Sequence, residues 1–465
     1  MKRLFGTDGM RGEAGQFPLD AQTVRRIGSS LARRLAESAE GGLAPRIVTG
    51  RDTRESGAWI EQAFTAGARG AGAECLSAGI ITTPGVAYLA RIVPADAGVV
   101  ISASHNPYQD NGIKIFSPSG RKLDDATERL IEADIKAATS QDEHTAREAK
   151  HVEEGEDDYK ESAALRQRYL DHLKEEAESS GLSLAGLSIV LDCANGAASG
   201  LAPALFESLG ARVIPINAQP DGRNINRDCG SLHIEGLQRT VLAEHADLGV
   251  AFDGDADRAL FVDGAGEFVD GDATLWVMAQ YLASRAELKD GIVVATVMSN
   301  IGLELALGAR GWQLKRTDVG DKYVLEELLR TGASVGGEQS GHIIFPRQSL
   351  AGDGMMTALF LLRAMHDTGI RLDQLVRGFT RYPQVLVNVR VREKLPFEEV
   401  AEVARTIEET KANLGERGRL LLRYSGTEPL ARVMIEGEQQ AQIERYANTI
   451  ADAIREAIGE TSSKP

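Results

Sequence analysis

Two short segments carry most of the reactive side chains of this 465-residue chain. The first, Ala97 to Phe116, runs AGVVISASHNPYQDNGIKIF and brings Ser104, His105 and Lys114 close together in sequence. Val99-Val100-Ile101 is β-branched and apolar, as a buried strand of a parallel sheet should be. Asn106-Pro107 predicts a turn behind it, because proline cannot donate to a ladder. Ser104 is thus expected just past the carboxyl end of a strand, where open α/β sheets hold their ligands. Asn111-Gly112 opens a second short strand that can return the Lys114 ammonium toward the same loop. Adjacent serine and histidine do not make a hydrolase pair, since neighbouring side chains diverge. Alone, the segment leaves an ordinary polar turn and a reactive hydroxyl both open.

The second segment, Leu248 to Val262, reads LGVAFDGDADRALFV, two apolar strands around a turn with Asp253, Asp255 and Asp257 at alternate positions. Alternation in an extended segment puts the three carboxylates on one side. At an effective dielectric near 20, two of them ~4 Å apart repel by about 4 kcal/mol, so a dry site needs a divalent cation. Hard oxygen ligands suit Mg²⁺. An EF-hand would need glycine sixth and glutamate twelfth, where Arg258 and Gly264 stand. An Asp-x-Asp-x-Thr/Val phosphatase loop is disfavoured by Asp257 in the fifth place.

Three further loops have suitable chemistry. Gly6 to Gly12 (GTDGMRG) is glycine-rich enough for backbone amides to approach a ligand. Gly336 to His342 (GGEQSGH), after Thr317 to Tyr323 (TDVGDKY), places a glutamate and a serine where they can hydrogen-bond sugar hydroxyls. Arg423 to Pro429 (RYSGTEP), with Arg432 beyond it, offers successive amides and a guanidinium fork for phosphate. Gly332 to Gly336 fits a G-x-S-x-G nucleophile elbow in letters only: no strand precedes it, and its serine is expected within a strand.

The elements that must position these loops follow a repeated plan. After a packing helix at Val24 to Glu37, a strand, polar loop, helix and strand run from Arg46 to Leu76. The same order recurs at Ser188 to Asn217 and at Gly291 to Thr317. Each copy reads as a right-handed βαβ crossover, and three copies imply three similar α/β domains. Gln141 to Lys160 is charged and reads as a solvated connector before a helix at Arg166 to Leu173. From Arg371 the plan changes to strand Val385 to Val391, helix Phe397 to Leu414, strand RLLLR and a final amphipathic helix, a smaller α+β domain. The expected domains are 1–155, 156–256, 257–370 and 371–465, bearing in turn the serine, acidic, Glu-x-Ser and phosphate-binding loops.

With 52 basic and 68 acidic residues the net charge of -16 argues against nucleic-acid or anionic-membrane partners. Cys75, Cys193 and Cys229 suggest neither a disulfide framework nor a zinc site. The opening residues hold no apolar leader core, and no apolar run reaches the ~18 residues of a membrane span. A reducing cytoplasm is the expected compartment.

Ser-Ala-Ser-His-Asn-Pro with Asn-Gly-x-Lys, Asp-Gly-Asp-x-Asp-Arg, Gly-Glu-x-Ser-Gly-His and Arg-x-Ser-Gly-Thr-Glu-Pro, in this order, resemble the motifs of the α-D-phosphohexomutases. That resemblance implies Ser104 as a phosphoserine, with His105 and Lys114 handling protons or charge beside it and Arg11 reaching the same site. It implies one Mg²⁺ on Ser104, Asp253, Asp255 and Asp257, with Arg258 facing phosphate. It further implies that Glu338, Ser340 and His342 select the sugar and that Arg423, Ser425, Gly426, Thr427 and Arg432 clamp phosphate. The implied fold surrounds a central cleft with three similar mixed-sheet α/β domains and the smaller last one, and a homodimer is allowed. Asp221 to His233 is similar to a segment of the family's phosphoglucosamine branch, whose substrate is a hexosamine phosphate; Tyr424 stands where that branch usually has lysine. Phosphomannose or phosphoglucose turnover, or a non-catalytic sugar-phosphate binder, are the alternatives.

Overall fold

The structure, a computed structural model, describes residues 3–6, 8–38, 43–138, 156–425 and 428–460. The acidic connector lies outside them up to residue 155, and its last residues begin the helix Glu156–Ser179, which also contains the predicted Arg166 to Leu173 helix. The chain groups into two compact units, Met1–Thr296 with Thr317–Val376, and Val297–Arg316 with Arg377–Pro465.

The first unit is built on three mixed sheets. In the first, Arg46–Arg51 lies parallel to both Glu74–Ile80 and Ala97–Ile101, while Asp110–Phe116 and Gly9–Glu13 extend the sheet antiparallel. Its inner strands are buried along their length, so Ala97–Ile101 reads as an unbroken apolar run rather than an alternating one. Parallel register sets Arg51 beside Ile101, so the loops that follow these two strands leave the sheet together. In the second sheet, Ser188–Asp192 pairs parallel with Arg212–Ile216 and Leu248–Phe252, and Leu248–Phe252 turns back antiparallel into Ala259–Asp263. The third contains Ile292–Thr296 parallel to Gly336–Gly337, with Ile343–Ile344 antiparallel to the latter. In every sheet the loops of interest sit at strand ends.

The second unit is an antiparallel sheet, Gln384–Arg390, Leu430–Glu436 and Arg419–Tyr424, with a core shared with the helices Ala401–Leu414 and Gln440–Ile458. The third repeat divides: its helix Ile301–Ala309 belongs to this unit. A buried carboxylate explains the grouping. Glu436 accepts from Asn300 Nδ2 and Ile301 N at the helix start, both at 3.2 Å, and from Arg419 Nε at 2.8 Å. A negative group is favourable at a helix N-terminus, where amides lack partners.

Ser334 is not inside a strand as its neighbours suggested. Helix Asp321–Thr331 ends at Gly332 (φ 69°), and Ser334 lies in the following bend with its hydroxyl donating to Glu287 O at 2.6 Å. It follows a helix and is tied to backbone, so it is no nucleophile elbow.

The helices Ala21–Ser38 and Gly57–Gly70 cross so closely that a Cβ on Gly28 would strike the Phe64 carbonyl and one on Gly67 the Arg25 carbonyl. Neither obstacle is a flexible side-chain end. Gly28→Ala and Gly67→Ala should each lower unfolding free energy by about 1–3 kcal/mol or more, read from urea denaturation midpoints.

Candidate active site

Ser104 is held in an unusual backbone state. Its φ is 52°, in the left-handed region that a non-glycine residue enters at a cost. The surrounding structure imposes it. Ser104 N donates to Ser102 Oγ at 2.9 Å, and Ser102 Oγ donates in turn to Asp52 Oδ2 at 2.6 Å. Arg54, fully buried, is paired with Asp52 at 2.9 Å and donates to the carbonyls of Ser104 and Asn106 at 2.9 Å and of Asp110 at 3.1 Å, with Pro107 O a further acceptor. Asn226, from the second sheet's side, donates to Ser104 O at 2.9 Å and Asn106 O at 3.1 Å. A loop with four of its carbonyls engaged in this way can keep a strained residue in place.

The acidic segment meets this loop directly. Ser104 Oγ donates to Asp253 Oδ2 at 2.5 Å and lies 3.3 Å from His105 Nδ1. A Cβ on Gly254 would be 2.5 Å from Ser104 O, so this position must be glycine for the two loops to touch. The three aspartates converge for a reason other than strand alternation. Residues 253–258 form a turn, with Ala256 left-handed (φ 53°), Ala256 N on Asp253 O at 3.0 Å and Arg258 N on Asp253 Oδ1 at 3.2 Å. The turn brings carboxylate oxygens of Asp253, Asp255 and Asp257 within 4.8 Å of one another, all buried.

Burial and the two neighbouring carboxylates push the Asp253 carboxyl well above its ordinary range. Burial would also push Asp257 up, but the Lys114 ammonium, His342 and Arg258 overcome it and hold Asp257 well below. Lys114 Nζ is 2.8 Å from Asp255 and 3.5 Å from Asp257, so it compensates part of the charge. Thr83 Oγ1 donates to Asp255 Oδ2 at 2.6 Å. Asp255 Oδ1 and Asp257 Oδ1 are buried with no hydrogen-bond partner. Two unmet anionic oxygens in a dry cluster of three carboxylates fit a hard divalent cation.

A cavity of about 480 Å³ opens over this centre, lined by Arg11, His105, Asp257, Arg258, Glu338 and His342 among others. Residues from four predicted loops therefore converge. Arg11 is paired with Asp8, which also approaches Lys114 at 3.3 Å and Lys122 at 2.6 Å. Burial and the Arg258 and Arg11 charges pull His105 down to about 4, leaving a neutral imidazole at neutral pH. His342 goes the other way: burial opposes its charge, but Asp257 at 3.6 Å pushes it up to about 9. Glu338 accepts from Gly320 N at 3.2 Å and from Ser340 Oγ at 3.2 Å.

In the second unit Arg423 and Arg432 stand directly opposite on paired strands. Like charges in such a pair repel unless an anion joins them. Ser425 N closes the turn on Leu430 O at 2.8 Å, and Lys394 Nζ donates to Ser425 O at 2.6 Å, bringing a cation to the loop from another segment. Tyr424 does not face this turn; its hydroxyl donates to Leu395 O at 2.6 Å. Gly426 and Thr427 lie outside the described residues.

Sequence reasoning missed Asp8, Arg54, Thr83, Lys122, Asn226 and Asp321. Arg54 had a usable signal, since it follows a strand parallel to the one before Ser104. Asp8, Asn226 and Asp321 stood inside motifs already singled out, but nothing local shows what such side chains touch.

Domain models of the phosphoglucomutase/phosphomannomutase family match this chain along its length. The alpha/beta/alpha domains I, II and III match residues 2–142, 167–266 and 270–382, and the C-terminal domain matches residues 386–453. The chain belongs to that family, and it is an enzyme of the phosphohexomutase class. Its curated relatives narrow the class. A phosphoglucosamine mutase of Solibacter usitatus is 50% identical over 459 residues, covering 99% of this chain and 100% of the relative. One from Mycobacterium tuberculosis is 46% identical over 460 residues, covering 98% and 100%. Among solved structures, a phosphoglucomutase/phosphomannomutase family protein from Burkholderia thailandensis shares the fold, with a TM-score of 0.76 at 24% identity over 98% of this chain and 97% of that one.

A divalent cation that satisfies the acidic turn should stabilise the folded chain. At Mg²⁺ one hundred times its dissociation constant the gain is about 2.7 kcal/mol, visible as a raised melting temperature. Asp253→Asn should lose most of that shift, and an equal shift in the variant would remove the cation from this site.

Proposed function

We propose that the chain interconverts glucosamine 6-phosphate and glucosamine 1-phosphate, with Ser104 as the phosphoryl carrier. The observation that carries this reading is the Ser104 hydroxyl, buried in a braced left-handed loop and 2.5 Å from one of three clustered carboxylates. Its surroundings suit a group that is alternately neutral and strongly anionic. Asp253, Asp255 and Asp257, with an oxygen of phosphorylated Ser104, would hold Mg²⁺. The ion supplies charge compensation for phosphoryl oxygens.

In the forward reaction the bond between phosphorus and Ser104 Oγ breaks as one forms to the free sugar hydroxyl. The hydroxyl proton ends on Ser104 Oγ, leaving a sugar bisphosphate and free serine. After the bisphosphate reorients, its other phosphoryl group returns to Ser104 Oγ, and the serine proton passes to the product hydroxyl. His105 Nδ1, 3.3 Å from Oγ, is placed to relay that proton. Lys114 and Arg258 offset developing charge, and Arg11, which lines the cavity, holds phosphate. Glu338 and Ser340 present acceptor and donor groups to the sugar, with His342 beside them. Such chemistry demands position and charge compensation more than bond-making power. Burial of Ser104 keeps water from intercepting the phosphoryl group.

The paired guanidiniums of Arg423 and Arg432, with Ser425, Gly426 and Thr427, form a phosphate clamp within the second unit. Among the described residues no helix is long and apolar enough to cross a membrane. A polar substrate and three buried free thiols, Cys75, Cys193 and Cys229, suit work in the cytoplasm.

Ser104→Ala should lower turnover of glucosamine 6-phosphate at least a hundredfold in a coupled assay, and peptide mapping by mass spectrometry should place phosphate on Ser104. Near-normal turnover of the alanine variant sinks the carrier. Running mannose and glucose phosphates beside it decides the sugar. Arg423→Ala should raise KM about tenfold or more with kcat little changed, and an unaltered KM counts against the clamp.

A further inference from the structure

Two cavities of the first unit, about 410 Å³ and about 480 Å³, share Asp8, Asp257, Asp321 and His342 as a common wall. The 480 Å³ cavity holds Arg11, Arg258 and Glu338, whereas Lys122 lines only the other one. Lys122 nevertheless reaches into the wall: its ammonium donates to Asp8 Oδ1 at 2.6 Å and to Asp321 Oδ1 at 2.8 Å. Both carboxylates line the 480 Å³ cavity and are tied to its other lining residues. Asp8 turns its other oxygen to Arg11 and Lys114. Asp321 opens the helix Asp321–Thr331, and the residue before it, Gly320, donates its amide to Glu338 Oε1 at 3.2 Å.

We propose that Lys122 is a positioning residue that never touches substrate and sets the spacing between the phosphate-facing Arg11 and the sugar-facing Glu338. One ammonium shared by two partly buried carboxylates works as a clasp. Without it Asp8 keeps Arg11 and Lys114, but the two carboxylates lose the counter-ion they share, so they repel and the loops that carry them separate. A second tie along the same seam, Lys322 to Asp125 at 2.7 Å, is more exposed, at 36% and 40% against 19–31% for the clasp. Exposed pairs contribute little, so this one does not substitute for the clasp.

The proposal rests on the reading of the cavity as a hexosamine-phosphate site, and the test separates the two. Full-length wild-type chain is assayed first with glucosamine 6-phosphate; absence of turnover defeats that reading before Lys122 is considered. With turnover established, Lys122→Met, which keeps the stem and removes the charge, should raise KM at least about fivefold, by more than kcat falls. Lys122→Arg should restore most of the loss, and Lys322→Ala should stay within about twofold of wild type. A Lys122→Met protein with unchanged KM overturns the proposal, whether or not its melting temperature falls. An equal KM rise in Lys322→Ala overturns it as well. If Lys122→Met fails to fold, Asp321→Asn cuts the same clasp from the other side and must show the same KM rise, and an unchanged KM there is equally fatal.

Discussion

Three carboxylates packed out of water set the terms for the rest of this structure. Bringing Asp253, Asp255 and Asp257 together costs desolvation and mutual repulsion, and the fold meets that cost with cations from three directions. Lys114 comes from the strand beside the serine loop, Arg258 from the acidic turn itself, and His342 from the Glu-x-Ser loop. These cations pair unevenly with the trio. Asp257 is held firmly ionised while Asp253 is pushed toward its neutral form, and oxygens on Asp255 and Asp257 stay unpartnered. A centre so left short of positive charge is suited to admit a metal ion rather than to be a settled salt bridge.

The serine loop is the complementary half of this arrangement. A residue in a strained backbone state would relax if its loop could move, and Arg54 prevents that by engaging the carbonyls of Ser104, Asn106 and Asp110. Asn226 does the same from another sheet, so the geometry of Ser104 depends on two domains at once. Gly254 completes the match by letting one loop's backbone lie against the other's. The stability of these braces and the placement of the hydroxyl are therefore one property, and rigid support at this point is what preorganised phosphoryl transfer needs.

Each unit carries its own group of arginines. In the first, Arg11 and Arg258 line the cavity beside Ser104; in the second, Arg423 and Arg432 form a separate cationic pair on adjacent strands. The overall charge of -16 makes these local clusters of arginine and lysine more conspicuous, because they run against the character of the remaining surface.

Much of this was legible in the letters. The repeats of strand, loop, helix and strand predicted the α/β sheets, because hydrophobic period and turn residues act locally. The reactive segments were recognisable because their chemistry is concentrated in a few adjacent positions. The sequence also placed Ser104 correctly beyond its strand, and the aspartates between two strands. What it could not supply was anything that depends on meeting across distance. It brought the aspartates together by alternation, whereas a turn with Ala256 left-handed does so. It put Ser334 in a strand that begins two residues later. The partners of Arg54, Asp8 and Lys122 lie up to 199 residues away, and no periodicity records such pairings. Local propensity and pattern determine which elements form; which buried charges face one another is decided only when the sheets pack, since the desolvation that makes those pairings matter does not exist in the extended chain.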